Sequence, residues 1–367
     1  MKIEINKERL TRIVSKAEKI ATKGSTLPAL SCLMFDFDGT DLTINSTNLD
    51  ISLKIVSKVK GSGTGKVLVP AAILNSFLTN LPKRDSVIKL EANNSKLHVT
   101  SESTDTIINT QSVDDFPVIS DKKSDKLFKI SSSDLVKGLN SVWYSTATSS
   151  IKPELSSVYV YHDDGDLVFV GTDSFRLAES RILVKNVDTF ENILIPYKNT
   201  VEMVRLLEDL DEEIEVCFEQ DKIIVETHEM TIISRVIDGV FPDYRQIIPK
   251  EVKTEVHVLK DDLQQCLKVS SVFADKFNQV TFTISPKDEI FQIESNSSEV
   301  GETKNNIKCQ INGDSLKLSF NSRYINDCFN SIKSDGLTLK FSGAEKPMII
   351  QGTSDKSFLY LVMPMNR

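Results

Sequence analysis

The chain has 367 residues, of which 40% are hydrophobic and 26% charged, with a formal net charge of -8. This length exceeds one ordinary domain and points to two or three, and the composition is that of a globular rather than a disordered or fibrous chain. No apolar run approaches a membrane span, the charged Met1–Leu10 start lacks the apolar stretch of a leader, and the acidic balance argues against a simple high-affinity nucleic-acid binder. Cys32, Cys217, Cys266, Cys309 and Cys328 form no CxxC pair and are odd in number, so they read as reduced core residues of a cytoplasmic protein.

The opening "KIEINKERLTRIVSKAEKIA" reads as an alternating strand followed by a helix. Arg9, Arg12, Lys16, Lys19 and Lys23 recur every three or four residues on one helical face, and Leu10, Ile13, Val14, Ala17, Ile20 and Ala21 occupy the other. The alternating "DLTINSTNLDISLKIVSKV" comes next, then "VLVPAAILNSFLTNLP", in which Pro70 stands where a strand gives way to a helix. "KLHVTSESTDTIINTQSVDDFP" closes this first series. The same succession restarts at "LFKISSSDLVKGLNSVWYST", with Ser131–Ser133 as capping residues. It continues through "DLVFVGTDSFRLAESRILV", "ILIPYKNTVEMVRLLEDL" with Pro196, and "KIIVETHEMTIISRVIDGVFP". A third round begins at "EVHVLKDDLQQCLKVSSVF", capped by Asp261 and Asp262, and passes through "IFQIESNSSEVGETKNNIKC". It continues with "LSFNSRYINDCFNSIK", where Asn321 is the N-cap, and ends in "PMIIQGTSDKSFLYLVMPM".

The series recurs at about 125 residues, and its endings align as Phe116-Pro117, Phe241-Pro242 and Met363-Pro364. The sequence therefore predicts an α+β chain of three repeated modules, each with two helices packed on antiparallel sheets. Boundaries fall at the charged, proline-bearing "PVISDKKSDK" and "PDYRQIIPKEVK", giving domains 1–121, 122–250 and 251–367.

"GTDSFRLAES" (171–180) has the residue types of a hydrolytic site in Asp173 and Ser174. Yet His98, His228 and His257 sit in strand-like runs, His162 precedes a hairpin turn, and no GxSxG, phosphate loop or metal-ligand spacing occurs. No metal or cofactor is called for. Within the repeat "GTDSFRL" aligns with "NSTNLDI" and "ESNSSEV" as three hairpin turns, and only the second copy carries Phe175, Arg176 and Leu177.

"TDSFRLA", "FPDYRQIIP" and "YLVMPMNR", set in a threefold repeat that spans the chain, resemble the bacterial DNA sliding-clamp family, the beta subunit of the replicative DNA polymerase III holoenzyme. The resemblance implies a non-catalytic processivity factor: a head-to-tail homodimer closes a ring around duplex DNA without reading its sequence. An ATP-driven clamp loader opens that ring, and the polymerase and other partners dock on it through short hydrophobic clamp-binding peptides. Carried over position by position, the peptide cleft comprises Leu155, Thr172, Ser174, Phe175, Arg176, Leu177, Pro242, Ile247, Asn321, Tyr324, Leu361, Met363, Pro364 and Met365. The family commonly has glycine, then histidine or arginine, where Ser174 and Phe175 stand, and Asn366 precedes the terminal Arg367. These departures bear on peptide preference.

In a ring lined by helices, the basic stripe of the first helix meets phosphate. Arg9, Arg12, Lys16, Lys19, Lys23, Lys152, Lys198, Arg205, Arg323 and Lys333 are then the DNA-facing residues, while Lys137 stands almost alone on its helix. The implied dimer contacts are Thr106 and Ile108 against Val272 and Phe273, with Thr106 more polar than the family's usual aromatic. The alternative is a repeat-built peptide-binding scaffold that never encircles DNA. A hydrolase using Asp173 and Ser174 comes third.

Overall fold

In the strand Lys2–Asn6, buried Ile3 and Ile5 alternate with exposed neighbours. The strand hands over to helix α1 (Lys7–Ile20), where the Asn6 side-chain oxygen accepts from the Arg9 N–H at 3.1 Å and satisfies one orphan donor. Leu10, Ile13, Val14, Ala17 and Ile20 are the buried face of α1, as their spacing requires. Burying each of the larger aliphatic side chains contributes about 1.5–3 kcal/mol. The computed structural model describes residues 1–22, 27–93, 95–119, 127–149, 151–184, 190–219 and 221–365.

Among these residues the remaining α-helices are α2 (Ala71–Asn80), α3 (Ser132–Asn140), α4 (Tyr197–Leu207), α5 (Lys260–Val272) and α6 (Ser322–Asp327). Pro70 occupies the N-cap of α2, and Asn321 caps α6 by accepting from the Arg323 N–H at 2.9 Å. The caps expected of Asp261 and Asp262 do not form. Leu259 is the N-cap of α5, and both aspartates lie in the first turn, where their charge meets the positive end of the helix dipole. Ser132 opens α3, and its hydroxyl donates to the Leu210 carbonyl at 2.8 Å. Gly138 lets α3 approach the sheet closely, since a Cβ there would lie 2.3 Å from the ring of fully buried Phe169.

Strand pairing explains how the repeats combine. Of the four sheets among the described residues, one has eight strands and one has nine, because each joins strands of consecutive repeats. In the first, Ile51–Lys58 pairs antiparallel with Met230–Arg235, placing Ser52 opposite Ile233. In the second, Arg176–Leu183 pairs with Phe358–Val362, placing Leu177 opposite Leu361. The described residues accordingly form two compact units, 1–133 with 202–236 and 134–201 with 237–367, and the middle repeat gives one sheet to each. The five- and four-stranded sheets end in Asp105–Asn109 and Gly301–Ile307, each with a strand partner on one side only among the described residues.

None of the five cysteines is in a disulfide among the described residues, and four of them are buried. Burial pushes the Cys266 thiol up to about 11, and Cys32, Cys309 and Cys328 shift upward for the same reason. A thiol held above its ordinary value stays protonated and unreactive at neutral pH. Iodoacetamide at pH 7.5 is therefore expected to leave Cys266 unmodified in the folded protein and to label it once the chain is unfolded in urea. Rapid labelling of Cys266 in the native state would contradict this.

Candidate functional site at a repeat junction

The turn between the strands Asp166–Thr172 and Arg176–Leu183 is built by its own side chains. Thr172 Oγ1 donates to the Arg176 carbonyl at 2.7 Å and accepts from the Ser174 N–H at 3.2 Å. Asp173 Oδ1 accepts from the N–H groups of Phe175 and Arg176 at 2.9 and 3.0 Å, and its Oδ2 accepts from Arg176 Nε at 2.9 Å. Both carboxylate oxygens of Asp173 are thus committed to the turn, which removes the chemistry a hydrolase would ask of it. Ser174 sits at φ +77°, the left-handed region that favours glycine.

The first repeat has the same turn. Thr47 Oγ1 donates to the Ile51 carbonyl, Asn48 Oδ1 accepts from the N–H groups of Asp50 and Ile51, and Leu49 lies at φ +78°. Structural equivalence therefore shifts the sequence alignment by one residue there, so that Asp50 and Ile51 fall on Phe175 and Arg176. In the third repeat the connection is one residue longer, five residues between Asn296 and Glu302 against four between Thr172 and Leu177, and strand pairing sets Glu302, not Val300, at the position of Leu177.

Arg176 is the side chain that sets the second copy apart. Its guanidinium bonds Asp173 and Asp327 and lies 4.5 Å over the Tyr324 ring, a cation–π distance. Burial works against its charge, but Tyr360, Asp327 and Asp173 outweigh burial and raise its pKa above the ordinary arginine value. Asp327 is a partner that the sequence reading missed; it is the last residue of α6, distant in sequence and without a motif.

The other residues expected to form the cleft differ in burial. Leu177 and Leu361 are 1% exposed and belong to a core cluster with Tyr161, Val168, Val170, Phe241 and Tyr244, so they are core residues rather than open walls. Thr172 and Leu155 are also buried. Met363, Pro364 and Met365 are half-buried; the Met363 N–H donates to the Phe175 carbonyl and the Met365 N–H to the Ser319 carbonyl, each at 2.8 Å. Phe175 is 61% exposed and Ile247 47%, Pro242 is exposed, and Asn321 and Tyr324 are half-buried. Asn366 and Arg367 lie outside the described residues.

A buried polar network that the sequence reading also missed fixes the segment bearing Pro242 and Ile247. The Tyr244 hydroxyl donates to Glu179 and lies 2.7 Å from the Tyr161 hydroxyl, while Arg181 Nε donates to Glu179 at 2.8 Å and Arg245 donates to Tyr161 at 2.9 Å. Burial, then Glu179, raises the Tyr244 pKa above the ordinary tyrosine value, so this hydroxyl is a donor at neutral pH.

The basic residues are not all free for a ligand. Arg9 and Arg12 reach Glu229 at 3.3 and 3.5 Å, Lys16 donates to the Leu206 carbonyl, and Arg205 pairs with Glu202. Lys19, Lys152, Lys198, Arg323 and Lys333 are exposed, and Lys23 lies outside the described residues. Of the expected dimer contacts, Thr106 is half-buried and Ile108 buried, whereas their neighbour Ile107 is 52% exposed. Val272 is 65% exposed, and the Phe273 ring lies against the Gly301 backbone at the start of the open edge strand, 3.9 Å from where a Cβ would stand.

Family models for the N-terminal, central and C-terminal domains of the DNA polymerase III beta subunit match residues 1–120, 129–243 and 245–366. This chain belongs to the DNA polymerase III beta-subunit family. The beta sliding clamp of Staphylococcus aureus is 24% identical over 375 residues, covering 100% of this chain and 99% of that protein. Among solved structures, the DNA polymerase III beta subunit of Thermotoga maritima matches at a TM-score of 0.93 and 26% identity, covering 100% of this chain and 99% of that one. The Bacillus subtilis sliding clamp matches at a TM-score of 0.95 and 24% identity with the same coverage. The three-repeat α+β fold is therefore that of the family, and its function is that of a non-catalytic processivity clamp in DNA replication.

Proposed function

We propose that two copies of this chain join head to tail in a closed ring around duplex DNA and hold polymerase and other partners through the groove beside Arg176. The observation that carries this reading is the pair of open sheet edges. Two repeat junctions are made within the chain by antiparallel strand pairing, and the third requires Gly301–Ile307 of one copy to meet Asp105–Asn109 of another. Such a contact is heterologous, and closes when the rotation permits.

The two junctions already formed also supply a register. Glu302 is equivalent to Ser52 and Leu177, and Ile107 to Ile233 and Leu361, so Glu302 falls opposite Ile107 and Lys304 opposite Asp105 across the closing junction. An opposite-charge cross-strand pair is worth about 0.2–1 kcal/mol. Lys304→Asp and Asp105→Lys should each weaken the dimer, and the double exchange should restore it.

The domain limits 1–121, 122–250 and 251–367 and a cytoplasmic location belong to the same reading, as does an ATP-driven loader that opens the ring. Half-buried methionines beside an apolar floor suit varied peptide anchors. A leucine or phenylalanine anchor contributes about 1.5–3 kcal/mol, so partner peptides are expected to bind at micromolar affinity, roughly −8 kcal/mol.

Retention on DNA is then topological. A protein held by phosphate contacts loses affinity steeply with salt, whereas a closed ring loaded on nicked circular DNA should stay bound through gel filtration at 0.5 M salt and be lost once the circle is linearised. Loss from the intact circle at that salt would favour a peptide-binding scaffold instead.

A further inference from the structure

A concavity of about 390 Å³ lies on the helical side of the second unit, formed by the end of α3 and the Trp143–Ser145 turn on one side and by α6 and the Cys328–Ser331 turn on the other. Lys137, Asn140, Trp143, Asn326, Asn330 and Lys333 line it. Trp143 Nε1 donates to Asn140 Oδ1 at 2.9 Å, which fixes the indole plane, and the Tyr144 hydroxyl meets Ser331 Oγ at 3.0 Å. Neither the docking groove nor the ring junction accounts for this combination. Lys137 lies in the last turn of α3 and Lys333 just beyond the Cys328–Ser331 turn that extends α6, so each lysine meets the C-terminal end of a helical segment.

We infer that this concavity holds one unpaired nucleotide of a DNA strand, its base stacked on Trp143 and its phosphates between Lys137 and Lys333. The chemistry selects that ligand. Two ammonium groups draw an anion, though Asp355, in the field of both, offsets part of their charge. Asp327, the other acid of the lining, is neutralised by Arg176. Asn326 and Asn330 offer amide donors and acceptors to a base edge, and an indole gives a stacking face of the kind that single-strand binders use. Bases stacked inside a duplex present no face to the indole, so only a frayed or single-stranded segment fits. The inference rests on the clamp reading, in which these helices face DNA.

Trp143 is the only tryptophan of the chain, so its fluorescence reports this concavity alone. Titrating the intact protein with a thymidine 12-mer in 50 mM salt should quench it saturably, and a blunt 12-base-pair duplex should not. Lys137→Ala with Lys333→Ala should raise the half-quenching concentration roughly tenfold. With a labelled 12-mer read by anisotropy, Trp143→Leu should weaken binding roughly 5- to 150-fold, the range for loss of one stacked base. Absence of quenching by the 12-mer, equal quenching by the duplex, or an unchanged titration in the double lysine variant would each overturn the inference. Salt-resistant retention on circular DNA, measured on the same preparations, separates these outcomes from failure of the clamp reading, because it does not depend on an unpaired base.

Discussion

Ile107→Pro is expected to convert the proposed closed dimer into folded monomers, raising the dimer dissociation constant at least a hundredfold in sedimentation equilibrium. The direction of each backbone group in Asp105–Asn109 follows from two bonds: the Ser101 N–H donates to the Thr104 carbonyl and the Thr110 N–H to the Ser95 carbonyl. Bonding residues alternate along an antiparallel ladder, so Thr104, Thr106 and Ile108 face their own sheet, and Asp105, Ile107 and Asn109 turn their N–H and carbonyl groups outward. A proline at position 107 removes a donor that the monomer does not use, which an edge strand tolerates. It also removes an inter-subunit ladder bond and the exposed isoleucine side chain at the centre of the proposed junction. The equivalent outward donors inside the chain show the bond at stake: the Arg235 N–H reaches the Asp50 carbonyl and the Met363 N–H the Phe175 carbonyl, both at 2.8 Å. An unchanged dimer would place the interface elsewhere; a monomer with lost near-ultraviolet dichroism would mean that the strand, not the junction, had failed. Ile107→Ser, which keeps the donor, should weaken the dimer less.

How much of this was legible beforehand depends on the range of the interaction. The face of α1 and the hand-over at Pro70 and Asn321 are local, and the residues that fix them lie within one helical turn. Asp261 and Asp262 misled because an acid near a helix start serves equally as a cap or as a first-turn charge, and the backbone at Leu259 decides between the two. The register of the "GTDSFRL" repeat was off by one residue in the first copy and by two in the third, because turns of different length carry similar polar residues and only the strand ladder counts them. Ile107 was missed for a related reason: in a strand read by alternation Ile108 looks like its equal, yet Ile108 is 5% exposed and Ile107 52%. Glu229 and Asp327, which occupy the charges of Arg9, Arg12 and Arg176, are long-range partners with no sequence signal of their own.

Removing Met363–Arg367 is expected to abolish detectable binding of a labelled peptide carrying leucine and phenylalanine anchors, while the proposed dimer stays intact. The strand Phe358–Val362 keeps its ladder with Arg176–Leu183 up to the Arg176–Val362 pair, so the truncation stops just beyond the sheet. It deletes the Met363 bond to Phe175 and the Met365 bond to Ser319, which hold the tail against the Phe175 turn and the strand ending at Asn321, together with two half-buried methionines and Pro364. Loss of two apolar contacts of about 1.5 kcal/mol each weakens a micromolar ligand roughly a hundredfold, past the range of a fluorescence polarisation assay. Among the described residues, those of the proposed ring junction, Gly301–Ile307, Val272 and Phe273, make no ladder with the tail, whose backbone partners are Phe175 and Ser319. Met363→Ala with Met365→Ala tests the same claim with both backbone bonds retained, and should cost roughly ten- to a hundredfold in peptide affinity. Peptide binding that survives truncation would move the docking site away from Arg176. Dissociation of the dimer would show that docking and ring closure share one surface, and the division of labour between the groove and the sheet edges would fall.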